Sequence, residues 1–508
     1  MTPLDPRAHP IGVVGAGAMG AGIALVAADA GHRVHLFDVR TDAVAEARRS
    51  IGRTLEGRLT KGRMTTEERD AVLERIVPGE RLSDLAPAAL VIEAVAEDAA
   101  IKRGLFAELT GLVGPEAILA TNTSSLSVTA LAAGLAGPER VCGMHFFNPA
   151  PVMPLVEVVS GLATAPDVAA KVAATARRWG KTPVACRSTP GFIVNRVARP
   201  FYGEAMCLAQ EGAASVATLD ALYRECGGFR MGPFELTDLI GQDINAAVTR
   251  SVFTATFFDP RYRPSLIQQD LVDAGWLGRK SGRGFYDYGG HAERPPAATA
   301  AAGPAPRHLA AEPGPALPDG LLARAAAAGL SLDGGRPGTL MQVDGVTLAL
   351  TDGRTATQRA RDLDIPALVL FDLAFDWRSA SRIAIAAATG AGTNAVATAA
   401  GFFQALGFAV SVLDDVPGLA VMRTLAMLAN EAAEALHQGV ASAADIDRAM
   451  VLGVAYPAGP LAWAETVGLL PIVTVLDHLA QAYGDPRYRT SPLLRRLVAA
   501  NGHIHQPV

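Results

Sequence analysis

Short apolar runs separated by polar turns open the chain. Ile11-Gly12-Val13-Val14 reads as a buried strand, Ala21 to Ala30 as an apolar helix, and Val34-His35-Leu36-Phe37 as a second strand. Ala89-Leu90-Val91-Ile92 and Ile118-Leu119-Ala120 repeat the strand pattern, and a helix begins near Leu126 with Ser125 as its expected cap. Val152 to Val156, carrying Pro154 and preceded by Pro151, reads as a loop entering a strand. From Pro190 the apolar period becomes helical, over Val194 to Glu211 and Ser215 to Cys226. Strands alternating with helices, then helices alone, predict an α/β domain over 1–188 followed by an all-α domain over 189–290. An Ala/Pro/Gly-rich stretch without period, 291–319, reads as a linker.

Beyond the linker the chain repeats itself. Asp259-Pro260-Arg261-Tyr262-Arg263 returns as Asp485-Pro486-Arg487-Tyr488-Arg489. Gly232-Pro233, with Asp238 and Gly241 behind it, is echoed by Gly459-Pro460, Glu465 and Gly468, and Pro190-Gly191 by Pro417-Gly418. Every correspondence has an offset of 226 or 227 residues, so a second copy of the all-α domain is expected over 415–508. The segment before it, 320–414, holds a strand-like Ala367 to Phe371 but no glycine loop after a strand, and reads as a degenerate α/β domain.

Gly15-Ala16-Gly17-Ala18-Met19-Gly20 follows the first strand directly. Gly15 permits the tight turn, Gly17 lets a diphosphate approach the backbone, and Gly20 lets helix and strand pack closely. Asp38 ends the second strand, where a carboxylate accepts from ribose hydroxyls and repels a 2′-phosphate. A Rossmann domain binding NAD in preference to NADP is therefore expected, with Arg40 slightly relaxing the exclusion of NADP.

Composition narrows the choice. A chain of 508 residues, 50% hydrophobic and 19% charged, exceeds one core and describes a well-buried globular protein of two to four domains. A net charge of -5 gives no general basic field, so nucleic acid is not an expected partner. The four cysteines form no close pair and no metal-ligand spacing, which predicts a reducing, cytoplasmic setting and no metal. Ile11 to Ala28 is apolar enough to suggest a signal or membrane span, but its glycines fit a strand–turn–helix better, and no membrane association is expected.

The richest chemistry lies in Met144-His145-Phe146-Phe147-Asn148-Pro149, followed by Glu157. A carboxylate across a turn from an imidazole fixes its tautomer and stabilises its protonated form. With a nucleotide loop upstream, a His–Glu base suggests alcohol oxidation by hydride transfer. Ser124 falls where a parallel strand ends, the edge at which open α/β sheets bind ligands.

Taken in order, the glycine loop, Asp38, Glu97, Asn122-Thr123-Ser124-Ser125, His145 to Pro149 and Pro190-Gly191-Phe192-Ile193-Val194-Asn195-Arg196 resemble the L-3-hydroxyacyl-CoA dehydrogenases. The resemblance runs from Pro10 to about Gly289. It implies NAD as cofactor, His145 as catalytic base with Glu157 as its partner, and Ser124 and Asn195 on the substrate oxygen. It puts Gly15, Gly17, Ala18, Met19, Gly20, Asp38 and Asn122 against the cofactor, and Glu97 and Lys102 beside its nicotinamide half. The arm from Thr41 to Ile76 would cover coenzyme A, with Thr54 and Lys61 meeting its nucleotide.

The full length resembles long bacterial members of phenylacetate breakdown, acting on 3-hydroxyadipyl-CoA or 3-hydroxybutyryl-CoA. A dicarboxylic substrate needs a cation at the end of the acyl pocket, for which Arg199 and Arg230 are candidates. Asn195 is replaced by Met422 in the second copy, so one active site per chain is expected, the two helical copies packing as a pseudo-dimer, with homodimers a further option. Two alternatives stand beside this reading: a 6-phosphogluconate-type dehydrogenase, which needs a lysine absent between Lys181 and Lys280, and a non-catalytic NAD-binding protein.

Overall fold

The computed structural model describes residues 2–290, 293–311, 318–330, 332–334 and 340–505, so part of the expected linker (291–292 and 312–317) lies outside the described residues. The chain forms two compact units, one of Met1–Arg196 with Gln438–Val454, the other of Val197–His437 with Ala455–Val508. Gln438–Val454, within the expected second helical copy, groups with the first unit.

The first unit is built on an eight-stranded sheet. Its elements are β1 (Ile11–Val14), α1 (Ala18–Asp29), β2 (Val34–Phe37), α2 (Ala43–Thr60), α3 (Thr66–Arg75), β3 (Ile76–Pro78), β4 (Leu90–Glu93), α4 (Ala99–Leu112), β5 (Ile118–Thr121), α5 (Val128–Ala132), β6 (Val141–Phe146), β7 (Leu155–Ser160), α6 (Pro166–Arg178), β8 (Thr182–Arg187) and the turn-like α7 (Val194–Val197). The strand order is β3-β2-β1-β4-β5-β6-β7-β8. All neighbours are parallel except β6 and β7, which are antiparallel. The central strands β1, β4 and β5 are wholly buried, as expected of parallel strands covered on both faces. The arm α2–α3 is tied down: Val44, Ala47, Ile51, Leu55 and Val72 sit in the same core as α1, and Thr65 and Glu68 form a capping box at the start of α3.

One correction concerns α5. Ser127, not Ser125, caps this helix, its side chain accepting from the Ala130 amide. The helix starts two residues later than the pattern suggested because the side chain and amide of Ser125 are engaged by Glu97.

The second unit begins with α8 (Arg199–Gln210), α9 (Val216–Glu225), α10 (Pro233–Ile240), α11 (Gln242–Ala255) and α12 (Leu266–Asp273). A reduced α/β segment follows: β9 (Leu309–Ala311), α13 (Asp319–Ala327), β10 (Leu332–Gly334), β11 (Met341–Val343), β12 (Val346–Leu350), α14 (Ala356–Leu363), β13 (Leu368–Phe371), β14 (Arg382–Ala387), α15 (Thr393–Ala405) and β15 (Ala409–Val412), in sheet order β10-β9-β11-β12-β13-β14-β15. The last helices are α16 (Val421–His437), α17 (Ala443–Val454), α18 (Pro460–Val467), α19 (Leu469–Tyr483) and α20 (Pro492–Ala499).

α17 is the segment that joins the first unit, where it packs on β7 and β8. Ile446, Ala449, Met450 and Gly453 make its buried face, and a Cβ added at Gly453 would lie 2.7 Å from Leu155. Burying Ile446 and Met450 contributes on the order of 1.5–3 kcal/mol each. In the second unit α9 packs on β14 in the same way, and α9 precedes α17 by 227 residues at its first position.

Among the described residues no single helix is long and apolar enough to cross a membrane.

Candidate active site

The β6–β7 register sets the central pair. His145 lies directly opposite Glu157. Met144, Phe146, Val156 and Val158 alternate with these two residues and point into the hydrophobic core, so His145 and Glu157 share the other face. His145 Nδ1 and Glu157 Oε2 are 2.6 Å apart, with the imidazole nearly buried and the carboxylate fully so. The second carboxylate oxygen, Oε1, accepts from the amides of Ile193 and Val194, each at 3.0 Å.

Those amides are aimed by a sharp turn. Gly191 has φ 76° and Phe192, fully buried, has φ 48°, a left-handed conformation that a bulky residue adopts only when its surroundings hold it. The Phe192 ring packs edge-on to the His145 ring at 5.8 Å, and Phe147 lies over the other side at 4.6 Å. Asn195 then falls inside the short α7, and its Nδ2 donates to the Ser124 carbonyl at 3.5 Å.

The Ser124 loop is held by Glu97. One oxygen of that carboxylate accepts from the Thr123 hydroxyl, the Ser124 and Ser125 amides and the Ser125 hydroxyl. Burial alone would raise the Glu97 pKa, but the Thr123 hydrogen bond and the Lys102 charge outweigh it and hold it below the usual range. Lys102 is buried, 2.6 Å from Glu93 and 3.1 Å from Glu97, and Glu93 also accepts from Thr121. Lys102 therefore faces two carboxylates. Asn122 accepts from the Phe146 amide at 2.8 Å, locking the ends of β5 and β6 together beside His145.

The glycine loop is shaped to hold a dinucleotide. Gly15 has φ 99°, and a Cβ there would overlap the Ala94 carbonyl at 2.5 Å; one at Gly20 would lie 1.7 Å from the Gly15 carbonyl. At Gly17 nothing stands within 4 Å, so the loop is closed on the protein side and open on the other, where Ala18 and Met19 begin α1. Asp38 accepts from the Ala16 amide at 2.7 Å and the Arg40 amide at 2.9 Å. A cavity of about 910 Å³, bounded by Gly15, Gly17, Asp38, Ala94 and Ile101, runs beside it. The free Gly17 face, the carboxylate at the end of β2 and this cavity fit the diphosphate and adenosine of NAD.

Thr54 on α2 and Lys61 at its C-terminal cap are exposed, the Thr54 hydroxyl donating to the Ser50 carbonyl. Arg40, Arg49 and Arg53, with Ser50, which the sequence did not single out, line a second cavity of about 460 Å³ against Gly17 and Ala18. The density of arginines along α2 was the available signal. Arg199 and Arg230 both lie in the second unit, the first buried and the second exposed.

Comparison with known proteins agrees with this arrangement. Residues 10–189 match the 3-hydroxyacyl-CoA dehydrogenase NAD binding domain, 191–288 and 418–505 the 3-hydroxyacyl-CoA dehydrogenase C-terminal domain, and 348–417 a 3-hydroxybutyryl-CoA dehydrogenase reduced Rossmann-fold domain. The chain is 46% identical to the 3-hydroxyadipyl-CoA dehydrogenase of Escherichia coli (strain K12), over 96% of each chain. It is 43% identical to a probable 3-hydroxybutyryl-CoA dehydrogenase of Bacillus subtilis (strain 168), over 54% of this chain and 96% of that one. A crystal structure of 3-hydroxybutyryl-CoA dehydrogenase from Escherichia coli K12 superposes with a TM-score of 0.89 at 43% identity, covering 98% of this chain and 99% of that one. The chain belongs to the 3-hydroxyacyl-CoA dehydrogenase family, and its first unit carries that family's NAD-binding domain.

Proposed function

We propose that the chain oxidises (S)-3-hydroxyacyl-CoA thioesters to 3-oxoacyl-CoA, with His145 as general base. The observation that carries this reading is the double use of Glu157, which holds the imidazole with one oxygen and the amides leading to Asn195 with the other. Because Nδ1–H donates to Glu157, the lone pair of His145 lies on Nε2, available to the 3-hydroxyl proton. Glu157 then stabilises the imidazolium. Asn195 and Ser124 are neighbours, suited to donate to the oxygen where charge develops. NAD, held by the glycine loop and Asp38, supplies the acceptor for the hydride that leaves C3. Glu97 and Lys102 orient the Ser124 loop beside the nicotinamide, Asn122 supports the same edge, and the basic face of α2 with Thr54 and Lys61 meets the coenzyme A nucleotide.

The names of the relatives point to 3-hydroxyadipyl-CoA or 3-hydroxybutyryl-CoA. Purified protein assayed for NADH formation on the (3S) form of each, compared by kcat/KM, separates them. Preference for the adipyl thioester places the enzyme in aromatic-acid breakdown; preference for the butyryl thioester places it in short-chain metabolism. No NADH from either, with NAD binding intact, overturns the reading in favour of a non-catalytic protein. Free cysteines suit the cytoplasm as its site of action.

The second half reads as a non-catalytic duplicate, with the domains divided at 188, 290, 319 and 414 along the sequence. The C-terminal-domain family matches both helical stretches, and the β14–β15 register repeats that of β7–β8 at an offset of 227 residues. By the same offset Asp372, bonded through its amide to the Ala384 carbonyl, stands for His145, Ala384 for Glu157 and Met422 for Asn195. Asp372 accepts from the Ala420 and Val421 amides, as Glu157 does from Ile193 and Val194, so the polypeptide geometry survives without a base. Reciprocal contacts support a pseudo-dimer of helical copies: Arg489 pairs with Asp259 and Arg263 with Asp485, while Tyr488 donates to Glu204 and Tyr262 to Glu431. Light scattering on the full chain tests whether this internal pairing replaces association or homodimers also form.

A further inference from the structure

We propose that the second unit holds a binding site for a small oxyanion, in a cavity of about 220 Å³ where Arg199, Arg261 and Arg487 converge with Ser265. The cavity lies among α8, α11 and the turn from Pro260 to Leu266. Its wall carries four arginines and no aspartate or glutamate. The carboxylates that balance these charges take the terminal nitrogens: Arg487 Nη2 is 2.6 Å from Glu204, Arg261 Nη1 is 3.5 Å from Glu431, and Arg263 Nη1 is 3.1 Å from Asp485.

The Nε atoms of Arg261 and Arg487 and the hydroxyl of Ser265, all on residues that line this cavity, are buried without a hydrogen-bond partner, so this cluster holds more donors than its own acceptors satisfy. Arg199 adds a buried charge, its Nη1 donating to Thr249 at 2.9 Å and its guanidinium resting over the Tyr202 ring. Burial pulls the Arg199 pKa below the ordinary arginine range, so an anion there would also relieve desolvation.

At the place related by the 227-residue offset a side chain stands at the corresponding position: Asn430, its Oδ1 accepting from the Ser491 amide at 2.7 Å and its Nδ2 donating to the Arg489 carbonyl at 2.9 Å. The residue 227 positions earlier is Gly203, which lines the cavity. A Cβ at Gly203 would meet only Arg487 Nη2, at 3.4 Å, so a side chain there would extend toward the arginines. The size admits phosphate or a short carboxylate and excludes a nucleotide.

Isothermal titration of the full chain with inorganic phosphate, acetate and succinate, at ionic strength fixed with KCl, tests this. The wild-type protein is expected to bind one anion per chain saturably. Gly203→Asn, which plugs the space, and Arg199→Met are each expected to weaken binding at least tenfold. Tighter binding of phosphate assigns the site to phosphate, and tighter binding of a carboxylate assigns it to a carboxylic metabolite. No saturable binding of any of the three, or equal binding by Gly203→Asn protein with an unchanged melting temperature, overturns the proposal. Should Arg199→Met not fold, Gly203→Asn carries the test alone.

Discussion

Glu157 and His145 face each other across an antiparallel strand pair, 2.6 Å apart, and the same carboxylate anchors the chain that leads to Asn195. Replacing His145 by Gln removes the base and leaves the cofactor cavity untouched. The expected result is a fall in kcat of about 10²–10⁴-fold with NAD affinity unchanged, measured by NADH fluorescence titration beside steady-state rates. Turnover near the wild-type level in this variant would rule the mechanism out.

Glu157→Ala should damage stability as well as rate. Two buried amides and an imidazole lose their acceptor, at a cost of about 1–3 kcal/mol for each group left unmade. Urea unfolding is expected to place this variant well below His145→Gln, since the latter empties only the Oε2 side.

Asp38→Ser tests cofactor choice. The carboxylate that accepts from Ala16 and Arg40 is the group expected to repel a 2′-phosphate. With Arg40 two residues away, its removal should raise kcat/KM for NADP relative to NAD by at least tenfold. An unchanged ratio would show that discrimination lies elsewhere.

Arg423 is fully buried, 2.8 Å from Glu204 and 3.0 Å from Glu211. Arg423→Met strands the buried Glu204 with only Arg487 to balance it. Breaking a buried pair from one side costs about 3–5 kcal/mol, and chemical unfolding should register a loss of that order.

Asp372 gives a pH signature. Burial outweighs its amide hydrogen bonds and pushes its pKa up to about 6 from an ordinary 3.8. For an acid raised in the folded state, the unfolded chain ionises first, so stability is lost as pH rises from about 4 to about 6. A shift of this size corresponds to about 3 kcal/mol. The stability of Asp372→Asn relative to wild type should therefore improve by about 2 kcal/mol or more between pH 4 and pH 7, read from unfolding curves at both. A constant difference would show that folding does not raise the Asp372 pKa.

The motifs that carry chemistry of their own were legible in the sequence. The glycine loop, Asp38 and the His145–Glu157 spacing each carry a local reason for their residue types, and the structure brings His145 and Glu157 to 2.6 Å. The echo of Asp259-Pro260-Arg261-Tyr262-Arg263 in Asp485-Pro486-Arg487-Tyr488-Arg489 was visible in the sequence, and its residues make reciprocal ion pairs. Other features left no local trace. The bonds from Ile193 and Val194 to Glu157 involve backbone amides, which every sequence has. Asp372 is silent because its partners are backbone amides. Ser127 outcompeted Ser125 as a cap because Glu97, distant in sequence, had already claimed the latter.

The sheet face formed by β7 and β8 is completed by α17, which reaches it only after the whole second α/β segment and α16 have been made. During synthesis that face stays uncovered while about 270 further residues emerge, some 14–54 s at about 5–20 residues per second. The nascent first half thus carries a sticky apolar patch through about half of the chain's translation. A ribosome-proximal chaperone has that interval in which to act, and a chain stopped before residue 438 would leave the ribosome with the patch bare.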